Sequence, residues 1–398
     1  MPQADALRRF SPQGVVPLRT GPAERHLVDV TLFFAPTSGG VRRYLLAKHG
    51  WLTQHARMRH TVLVPGPRDD GLPFDIMRFA SPAIPFGRGY RLPLRMRAFR
   101  NQLARLAPDL IEVGDPYHLA RQSLRVARER QIPAIAFCHS DLGTLADSLL
   151  GRWAGRATRR YLADLYARFD LVLAPSNLVA ERINGIGVRH VEVQALGVDV
   201  ATFHPGARDP ELRAMLGIAR DARLLVFAGR LSPEKHAGDL VTSITLLGDP
   251  YHLLLIGGGR FTPRAPNVTV LGYQQDNRQL ARLLASCDAF VHAGDQETFG
   301  LVVLEAMACG LPVIAAGAGA LPELVDENVG ATFEPRAPDD LARKVRGLFE
   351  RDREAVRHAA RRRAETHGWD AAFARLLGRY TRLMGRPATL GQRIRDVR

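Results

Sequence analysis

Short apolar runs recur along the whole chain, and each is followed by a turn and then by a stretch that mixes apolar and charged residues. Uninterrupted apolar runs are typical of parallel strands, because helices cover both faces of a parallel sheet. The mixed stretches have the spacing of helices that bury one face. The pattern therefore predicts an α/β protein. The predicted strands are 26–34, 61–64, 74–79, 109–113, 134–138, 171–176, 191–193, 224–228, 252–256, 268–271, 289–291, 311–316 and 331–333.

The N-terminal segment and the cysteines bear on where the protein is found. Residues 1–25 are rich in Pro, Gly and Arg and show no periodicity, so we predict a flexible tail. This segment lacks the apolar core of a signal peptide, and the longest apolar run, 299–325, contains two glutamates and two prolines, unlike a membrane span. Cys138, Cys287 and Cys309 are scattered without disulfide or metal spacing, which fits a reducing compartment. We therefore expect a cytoplasmic protein.

The stretch 291–323, VHAGDQETFGLVVLEAMACGLPVIAAGAGALPE, carries the main candidate chemistry. It predicts the end of a strand, a loop, and a helix over 301–308 that Gly310 terminates. The apolar run 311–316 then predicts a buried parallel strand. A strand, a loop and a helix in this order place polar residues at the edge of a sheet where ligands bind.

The start of this helix is a candidate anion site flanked by two carboxylates. If the helix begins at Gly300, the N–H groups of Gly300, Leu301 and Val302 point out of its first turn, where the helix dipole favours a phosphate. Glu297 precedes that start, and Glu305 lies about one and a half turns inside the helix. Carboxylates are unsuited to phosphate but accept hydrogen bonds from sugar hydroxyls, so the pattern indicates sugars on either side of a diphosphate. The alternative is a pair of solvated glutamates, and the apolar run around Glu305 argues against it.

The sequence ETFGLVVLEAMACGLPV at 297–313 resembles the Glu-x7-Glu signature of the retaining glycosyltransferases of family 4. The resemblance implies a GT-B fold, in which two Rossmann-like doubly wound parallel-sheet domains face a central cleft. It implies an acceptor-binding domain over 26–205, a nucleotide-sugar-binding domain over 206–368, and a terminal crossing helix with a tail over 369–398. The implied reaction moves a hexose, either mannose or glucose, from a nucleoside-diphosphate sugar to a hydroxyl of a lipid or glycan acceptor, with no metal and no cofactor.

The resemblance also implies roles for the second domain. Arg230 and Lys235 follow a predicted strand and would neutralise the departing nucleotide, as Arg and Lys do with diphosphates. A surface ion pair with a carboxylate such as Glu234 is the alternative. Glu297 is assigned to the transferred sugar and Glu305 to the ribose. The residues expected to contact the donor are Gly40, Arg230, Lys235, Gly272, Tyr273, Glu297, Phe299, Gly300, Leu301 and Glu305.

Polar residues also follow predicted strands of the first domain. In the family, a glycine loop at the position of Gly40 faces the donor diphosphate, and the loop matching 272–273 lies near the nucleobase. A His after a strand is more often structural than catalytic, yet the resemblance places His139 near the transferred sugar, so we assign it a catalytic role. Asp115 and Asp141 also follow strands and are candidates for contacts with the acceptor.

The net charge of +15 favours anionic partners, namely a sugar nucleotide, an acidic membrane surface or a nucleic acid. Only three of the 55 basic residues are lysines, and this bias weakens inferences from single arginines. The segments 86–107 and 149–169 combine arginines with apolar residues. Each fits a helix buried against its own sheet with a solvated arginine face, or a helix that docks on the inner face of a membrane.

Three other functions compete with sugar transfer. Another GT-B enzyme, such as an epimerase or a phosphorylase, is disfavoured by the glutamate pair together with Arg230 and Lys235. A nucleic-acid-binding protein is disfavoured because only 7% of the chain is aromatic and no such motif is present. A catalytically silent nucleotide-sugar binder stays open. The chain contains no Asp-x-Asp pair, so the sequence gives no sign of a metal-bridged diphosphate.

Overall fold

The computed structural model describes residues 25–34, 39–67, 76–84, 89–259, 263 and 265–385. The predicted tail before Arg25, the tail after 385, and the predicted first residues of the 74–79 strand and the 86–107 helix lie outside these ranges. The chain forms two compact units. Within the described ranges, the first unit extends over 25–175, 179–194 and 373–385, and the second over 176–178 and 195–372.

The first unit is built on a sheet of seven parallel strands in the order β3-β2-β1-β4-β5-β6-β7. Its inner strands are buried on both faces, as the apolar runs predict, and Leu27 and Ile135 are fully buried; the two edge strands are partly exposed. β1 and β4 are neighbours in the sheet, and from this pair the later strands are added outward in opposite directions, so the strand order reverses here. The strands are Arg25–Val30 (β1), Met58–Gly66 (β2), Ile76–Ala80 (β3), Leu110–Val113 (β4), Ala134–Phe137 (β5), Leu171–Ala174 (β6) and Val191–Val193 (β7).

The second unit is built on a sheet of six parallel strands in the order β10-β9-β8-β11-β12-β13. Leu224, Phe290 and Ile314 are fully buried in its core. Here the succession reverses between β8 and β11, and ligands of open α/β sheets bind at such a reversal, beyond the carboxyl ends of the strands. The strands are Arg223–Ala228 (β8), Tyr251–Ile256 (β9), Val268–Leu271 (β10), Ala289–His292 (β11), Val313–Ala316 (β12) and Gly330–Phe333 (β13).

Helices connect the strands, and none of those in the described ranges is both long enough and apolar enough to cross a bilayer. The crossover helices cover the sheets with their apolar faces. The helices are Gly40–His55 (α1), Met96–Arg105 (α2), His118–Arg130 (α3), Leu142–Leu150 (α4), Arg152–Tyr166 (α5), Asn177–Gly185 (α6), Leu212–Met215 (α7), Ala237–Leu247 (α8), Asn277–Ala285 (α9), Leu301–Ala308 (α10), Pro338–Phe349 (α11), Arg353–Glu365 (α12) and Trp369–Met384 (α13).

The segment 195–205 packs within the second unit, although the sequence analysis groups it with the first domain. The Val198 N–H donates to the His367 carbonyl oxygen at 2.9 Å. Arg361 of α12 donates to the carbonyl oxygens of Phe203 and Ala308, at 2.8 and 2.7 Å. These hydrogen bonds to the backbone, which join distant segments of the chain, place 195–205 in the second unit, and no local pattern predicts them.

The terminal helix α13 packs, from Phe373 onward, in the first unit. Its Tyr380 hydroxyl donates to the Glu112 carboxylate on β4. The fully buried Lys48 ammonium of α1 lies 2.8 Å from Glu112 and 2.7 Å from Asp29 on β1. Burial raises the pKa of Glu112 to about 7, whereas the pKa of Asp29 falls to about 2 because Lys48 and His60 offset its burial. Lys48, Tyr380 and the two carboxylates thus link α1, α13 and the sheet.

Neither of the two predicted amphipathic segments, 86–107 and 149–169, forms a single helix. In the first, the helix α2 begins only at Met96, and Leu92 is half exposed instead of lying on the buried stripe with Phe99. Pro93 disfavours a helical conformation at the residue before it, and the Leu92 N–H donates to the Pro82 carbonyl oxygen at 3.0 Å. In the second, Gly151 separates α4 from α5 with φ of +86°, a conformation that glycine adopts readily.

Candidate active site

The loops after β8 and β11 meet because these two strands are neighbours at the reversal of the second sheet. The loop after β8 carries Arg230 and ends in a short 3₁₀ turn over Pro233–Lys235. The loop after β11 carries Glu297. The residues that the sequence assigns to the departing phosphate and to the transferred sugar therefore lie at the same edge of one sheet.

The side chains of Lys235 and His292 hold the Glu297 carboxylate in place. The Lys235 ammonium forms an ion pair with Glu297 Oε1, and His292 Nε2 lies 3.0 Å from the same oxygen. The Lys235 and Glu297 side chains are only 17% and 16% exposed, so solvent screens their attraction weakly. Burial by itself would raise the pKa of Glu297, but Lys235 and His292 more than offset it and hold that pKa well below its usual value. Glu297 is therefore an ionised acceptor at neutral pH.

His292, the last residue of β11, is a site residue that the sequence analysis misses. Its Nδ1 accepts a hydrogen bond from the Gly294 N–H at 3.1 Å. Since Nδ1 is the acceptor, the neutral ring carries its proton on Nε2 and donates it to Glu297. The signal in the sequence is a histidine at the end of an apolar run, five positions before the glutamate.

Gly294 permits the close approach of these groups. A Cβ atom at Gly294 would lie 2.7 Å from His292 Cε1, 3.2 Å from Lys235 Cδ and 3.2 Å from the Glu234 carbonyl oxygen. Only a residue without a side chain fits where both loops converge.

A second carboxylate on the β11 loop supports the lysine loop. Asp295 Oδ2 lies 3.2 Å from His236 Nε2 and 3.0 Å from Arg336 Nη2. His236 follows Lys235 directly and adopts a left-handed conformation with φ of +47°, as Arg336 does with φ of +63°. Such conformations are unfavourable for residues with a Cβ and need support from their surroundings. Asp295 provides contacts to both side chains, and it is not identified by the sequence analysis.

Arg230 is an exposed member of the predicted site. Its side chain is 71% exposed and lies 3.4 Å from Glu234 Oε1, which also accepts a hydrogen bond from Ser232 at 2.7 Å. The local ion pair that the sequence offers as an alternative is thus present. An exposed pair of this kind contributes little to stability, so Arg230 can exchange Glu234 for another anion at low cost.

The helix α10 begins at Leu301, in agreement with the predicted bounds 301–308, and Gly300, the start assumed for the anion site, is its N-cap. Gly300 adopts a left-handed conformation with φ of +95°. Phe299 is buried, and Glu305, in the middle of the helix, is 2% exposed. Burial and then the Glu305 charge raise the pKa of the Cys309 thiol to about 12. Glu305 is therefore not a solvated surface glutamate.

The remaining donor candidates lie at strand ends or helix starts as predicted. Gly272 follows β10, and its carbonyl oxygen accepts a hydrogen bond from the Gln274 side chain at 2.8 Å. Tyr273 beside it is 46% exposed. Gly40 is the first residue of α1 in the first unit.

His139 follows β5 in the first unit. Its ring stacks on Phe137, with centroids 4.3 Å apart, and meets the edge of Tyr44 at 5.5 Å. Burial and then the Lys48 charge lower the pKa of His139 to about 3. The ring is neutral at physiological pH, and its catalytic assignment stays a prediction.

The two aspartates assigned to the acceptor already have partners within the first unit. Asp115 follows β4 and accepts a hydrogen bond from the Leu32 N–H at 2.6 Å, which links the loops at the strand reversal. Burial raises its pKa to about 6. Asp141 caps α4 by accepting from the Thr144 N–H at 3.0 Å and pairs with Arg182. Both contacts organise loops, and the assignment to the acceptor stays a prediction.

Comparisons with known proteins agree with this arrangement. The family described as Glycosyl transferases group 1 matches residues 208–366, and the one described as Glycosyltransferase Family 4 matches residues 38–202. A GDP-mannose-dependent alpha-(1-6)-phosphatidylinositol dimannoside mannosyltransferase of Mycobacterium tuberculosis is 33% identical over 88% of this chain and 94% of its own length. A GDP-mannose-dependent alpha-mannosyltransferase of the same species is 35% identical over 77% of this chain and 82% of its own length.

This chain belongs to glycosyltransferase family 4. The crystal structure of Anabaena HepE in complex with UDP and glucose matches it with a TM-score of 0.72 at 20% identity, covering 90% of this chain and all of the other. That similarity, with the two parallel sheets, confirms the predicted GT-B fold. The predicted function as a glycosyltransferase acting from a nucleotide sugar is confirmed by the family.

Within this family 4 glycosyltransferase, the structure brings together Lys235, Glu297 and Asp295 with His292 in one cluster of the second unit. No group of three or more His, Cys, Asp or Glu side chains in the described ranges is arranged to hold a metal ion. The predicted roles of individual residues, including those of Gly40, His139 and Glu305, remain predictions.

Proposed function

We propose that this protein transfers a mannosyl residue from GDP-mannose to a hydroxyl of a lipid-linked or glycan acceptor, with retention of anomeric configuration and without a metal ion. The two mycobacterial relatives named above support the choice of GDP-mannose over a UDP-sugar. The observation that carries the proposal is the meeting of the Lys235 ammonium and the Glu297 carboxylate at the strand reversal of the second unit.

The cationic side chains supply the charge that the departing nucleotide needs. Lys235 presents a point charge at the end of the β8 loop, and Arg230 carries a planar guanidinium that can bind phosphate oxygens in pairs. The first turn of α10, after Gly300, adds N–H groups and the positive end of a helix dipole. Groups fixed where negative charge develops stabilise the transition state for loss of the diphosphate. We therefore propose that the reaction needs no metal ion.

Glu297 is proposed to accept a hydrogen bond from a hydroxyl of the transferred sugar. It is ionised and oriented by His292, so it can fix the sugar without acting on the anomeric carbon. The acceptor hydroxyl then attacks from the face that the nucleotide leaves, which gives retention without a protein nucleophile. Glu305 is proposed to bind the ribose of the donor.

The lipid acceptor places the reaction at a membrane surface. A relative that acts, by its name, on phosphatidylinositol dimannoside supports a lipid acceptor. We propose that the protein works in the cytoplasm, as a peripheral protein at the inner face of the cell membrane. The net charge of +15 favours an anionic surface of this kind.

Calorimetric titration with GDP, UDP, ADP and a short DNA duplex, each in the presence of a chelator, tests the donor. Binding of GDP well above UDP, unchanged by the chelator, is the expected result. Transfer of labelled mannose from GDP-mannose to extracted phosphatidylinositol mannosides, with the anomeric configuration read by NMR, tests the acceptor and the retention. Binding of the duplex alone, or inverted product, would overturn the proposal.

A further inference from the structure

Large apolar side chains stand exposed at the turn between α4 and α5 in the first unit. Leu149, Leu150 and Trp153 are 71%, 65% and 72% exposed, and they surround the Gly151 turn. Single exposed apolar residues are ordinary, but three large ones within five consecutive positions form a patch that has a function or a partner. These three residues are called the hairpin tip below.

The hairpin that carries the tip is held firmly. Asp147 of α4 accepts two hydrogen bonds from Arg159 of α5, at 2.7 and 3.1 Å. A Cβ atom at Gly155 would lie only 1.8 Å from Asp147 Oδ1, so the glycine lets the two helices pack closely. The tip is therefore displayed at the end of two closely packed helices.

The flanks of the tip are positively charged. Arg152, Arg156 and Arg160 on α5 are all exposed. Asp147 is paired with Arg159, and Asp164 is paired with Arg168 at 2.8 Å, so the acidic groups of the hairpin are already balanced. The three arginines thus add uncompensated positive charge beside the apolar side chains.

A second segment of similar character leaves the same edge of the sheet. Leu92 and Leu94, in the connection from β3 to α2, are 50% and 64% exposed, and Arg91 and Arg95 flank them. Because β3 and β5 are parallel, both connections start at the carboxyl edge of the seven-stranded sheet. One edge of the first unit therefore directs two apolar and basic projections away from the sheet.

We propose that the hairpin tip inserts into the interfacial region of an anionic phospholipid bilayer, with Arg152, Arg156 and Arg160 binding lipid phosphates. Tryptophan and leucine partition into this region, and arginine side chains reach the head groups from its border. The proposal rests on the proposed function for its biological purpose, the capture of a lipid acceptor, but the binding itself needs no sugar transfer.

The charge and the apolar side chains together favour a bilayer over the other anionic partners. A nucleic acid would engage the arginines but leave Leu149 and Leu150 in water, and only one aromatic ring is available at the tip for stacking on bases. A second copy of the chain would bring its own arginines against these, which is repulsive. An anionic bilayer satisfies both kinds of side chain.

Co-sedimentation of the full chain with phosphatidylcholine vesicles, with and without phosphatidylglycerol, tests the proposal. Wild type is expected to bind the anionic vesicles, and Trp153 fluorescence to shift to the blue and be quenched by brominated lipid. The variant L149S/L150S/W153S is expected to bind the anionic vesicles at least roughly tenfold more weakly than wild type. Its matched control is M215S/L246S, which replaces two exposed apolar residues of the second unit.

The electrostatic part is tested with R152Q/R156Q/R160Q. This variant is expected to lose the preference for anionic vesicles, whereas R220Q/R278Q/R362Q, with three exposed arginines of the second unit replaced, keeps it. Transfer to a water-soluble mannoside should be unchanged in the tip variant, which separates this proposal from the proposed function. Equal vesicle binding by wild type and the tip variant, or binding only to a DNA duplex, would overturn it.

Discussion

His292 Nε2 lies 3.0 Å from Glu297 Oε1, while its Nδ1 accepts the Gly294 N–H at 3.1 Å. The two contacts use both ring nitrogens, so they fix the tautomer of the imidazole and the direction of the carboxylate. His292 thereby acts as a positioning residue for Glu297, on which Lys235 also converges.

Replacing His292 by Ala should lower kcat/KM about 10- to 100-fold, because a hydrogen bond to a charged group contributes about 1.5–3 kcal/mol. His292→Gln, which keeps a donor near the Nε2 position, should recover much of this loss. The measurement is steady-state transfer from the donor, with His252→Asn on β9 as the control. A glutamine variant no better than alanine would show that the ring serves packing alone.

Glu297→Gln keeps the shape of the side chain and removes its charge. We expect turnover to fall by about 100-fold or more, since an oriented ionic acceptor is lost, while GDP affinity stays within about twofold. Parallel measurement of kcat and of the GDP dissociation constant checks this. If GDP affinity collapsed while turnover per bound donor did not, the assignment of Glu297 to the sugar would be wrong.

Glu305→Ala should have the opposite effect and weaken GDP binding by roughly tenfold or more, because the proposed ribose contact is lost. Glu305 is buried, so Glu305→Gln is needed beside it to separate the charge from the cavity that alanine leaves. Calorimetry with GDP is the measurement. Wild-type affinity in both variants would remove Glu305 from the donor site.

Gly294→Ala should abolish most activity and destabilise the fold by about 1–3 kcal/mol, as over-packing does, because the new methyl group would press on His292 and Lys235. The control is Gly238→Ala in α8, where a Cβ atom meets nothing within 4 Å. That change should stabilise the protein by roughly 0.5–1 kcal/mol. Thermal unfolding together with an activity assay compares the two, and a fully active Gly294→Ala would contradict the packing argument.

Glu112 should make the protein less stable as the pH rises, which is the opposite of the usual effect of a carboxylate. Burial raises its pKa from 4.5 to about 7, so between these values the folded state holds a proton that the unfolded state has lost. This contribution to stability is therefore complete below pH 4.5 and lost as the pH rises to about 7. Glu112→Gln should remove it and flatten the profile.

The pH profile is read from urea midpoints of wild type, Glu112→Gln and the control Glu129→Gln, which alters an exposed glutamate of α3. Asp29 acts in the opposite sense. Its pKa is lowered to about 2, so its contribution is present above pH 3.8 and lost as the pH falls toward 2. Identical slopes from pH 4.5 to 7 in wild type and Glu112→Gln would refute the account of the buried cluster.

The sequence by itself determined the parallel strands, the helix at 301–308 and the carboxylate pair of the central stretch. These features follow from local properties, since burial on both faces of a strand and helical spacing leave their mark on neighbouring residues. Where the backbone preference of a single residue conflicts with the apolar spacing, the spacing predicts a longer helix than the one that forms. Pro93 and Gly151 interrupt the segments 86–107 and 149–169, although the apolar spacing continues through them.

Only the tertiary structure decided that Lys235, His292 and Glu297 form one cluster and that Asp295 supports the loop of His236. Their loops are far apart in the chain and meet because β8 and β11 are neighbours at a strand reversal, a pairing that no local spacing encodes. The same holds for Tyr380, whose contact with Glu112 depends on where the terminal helix packs. Local periodicity selects the elements, whereas the order of strands in each sheet selects which side chains meet.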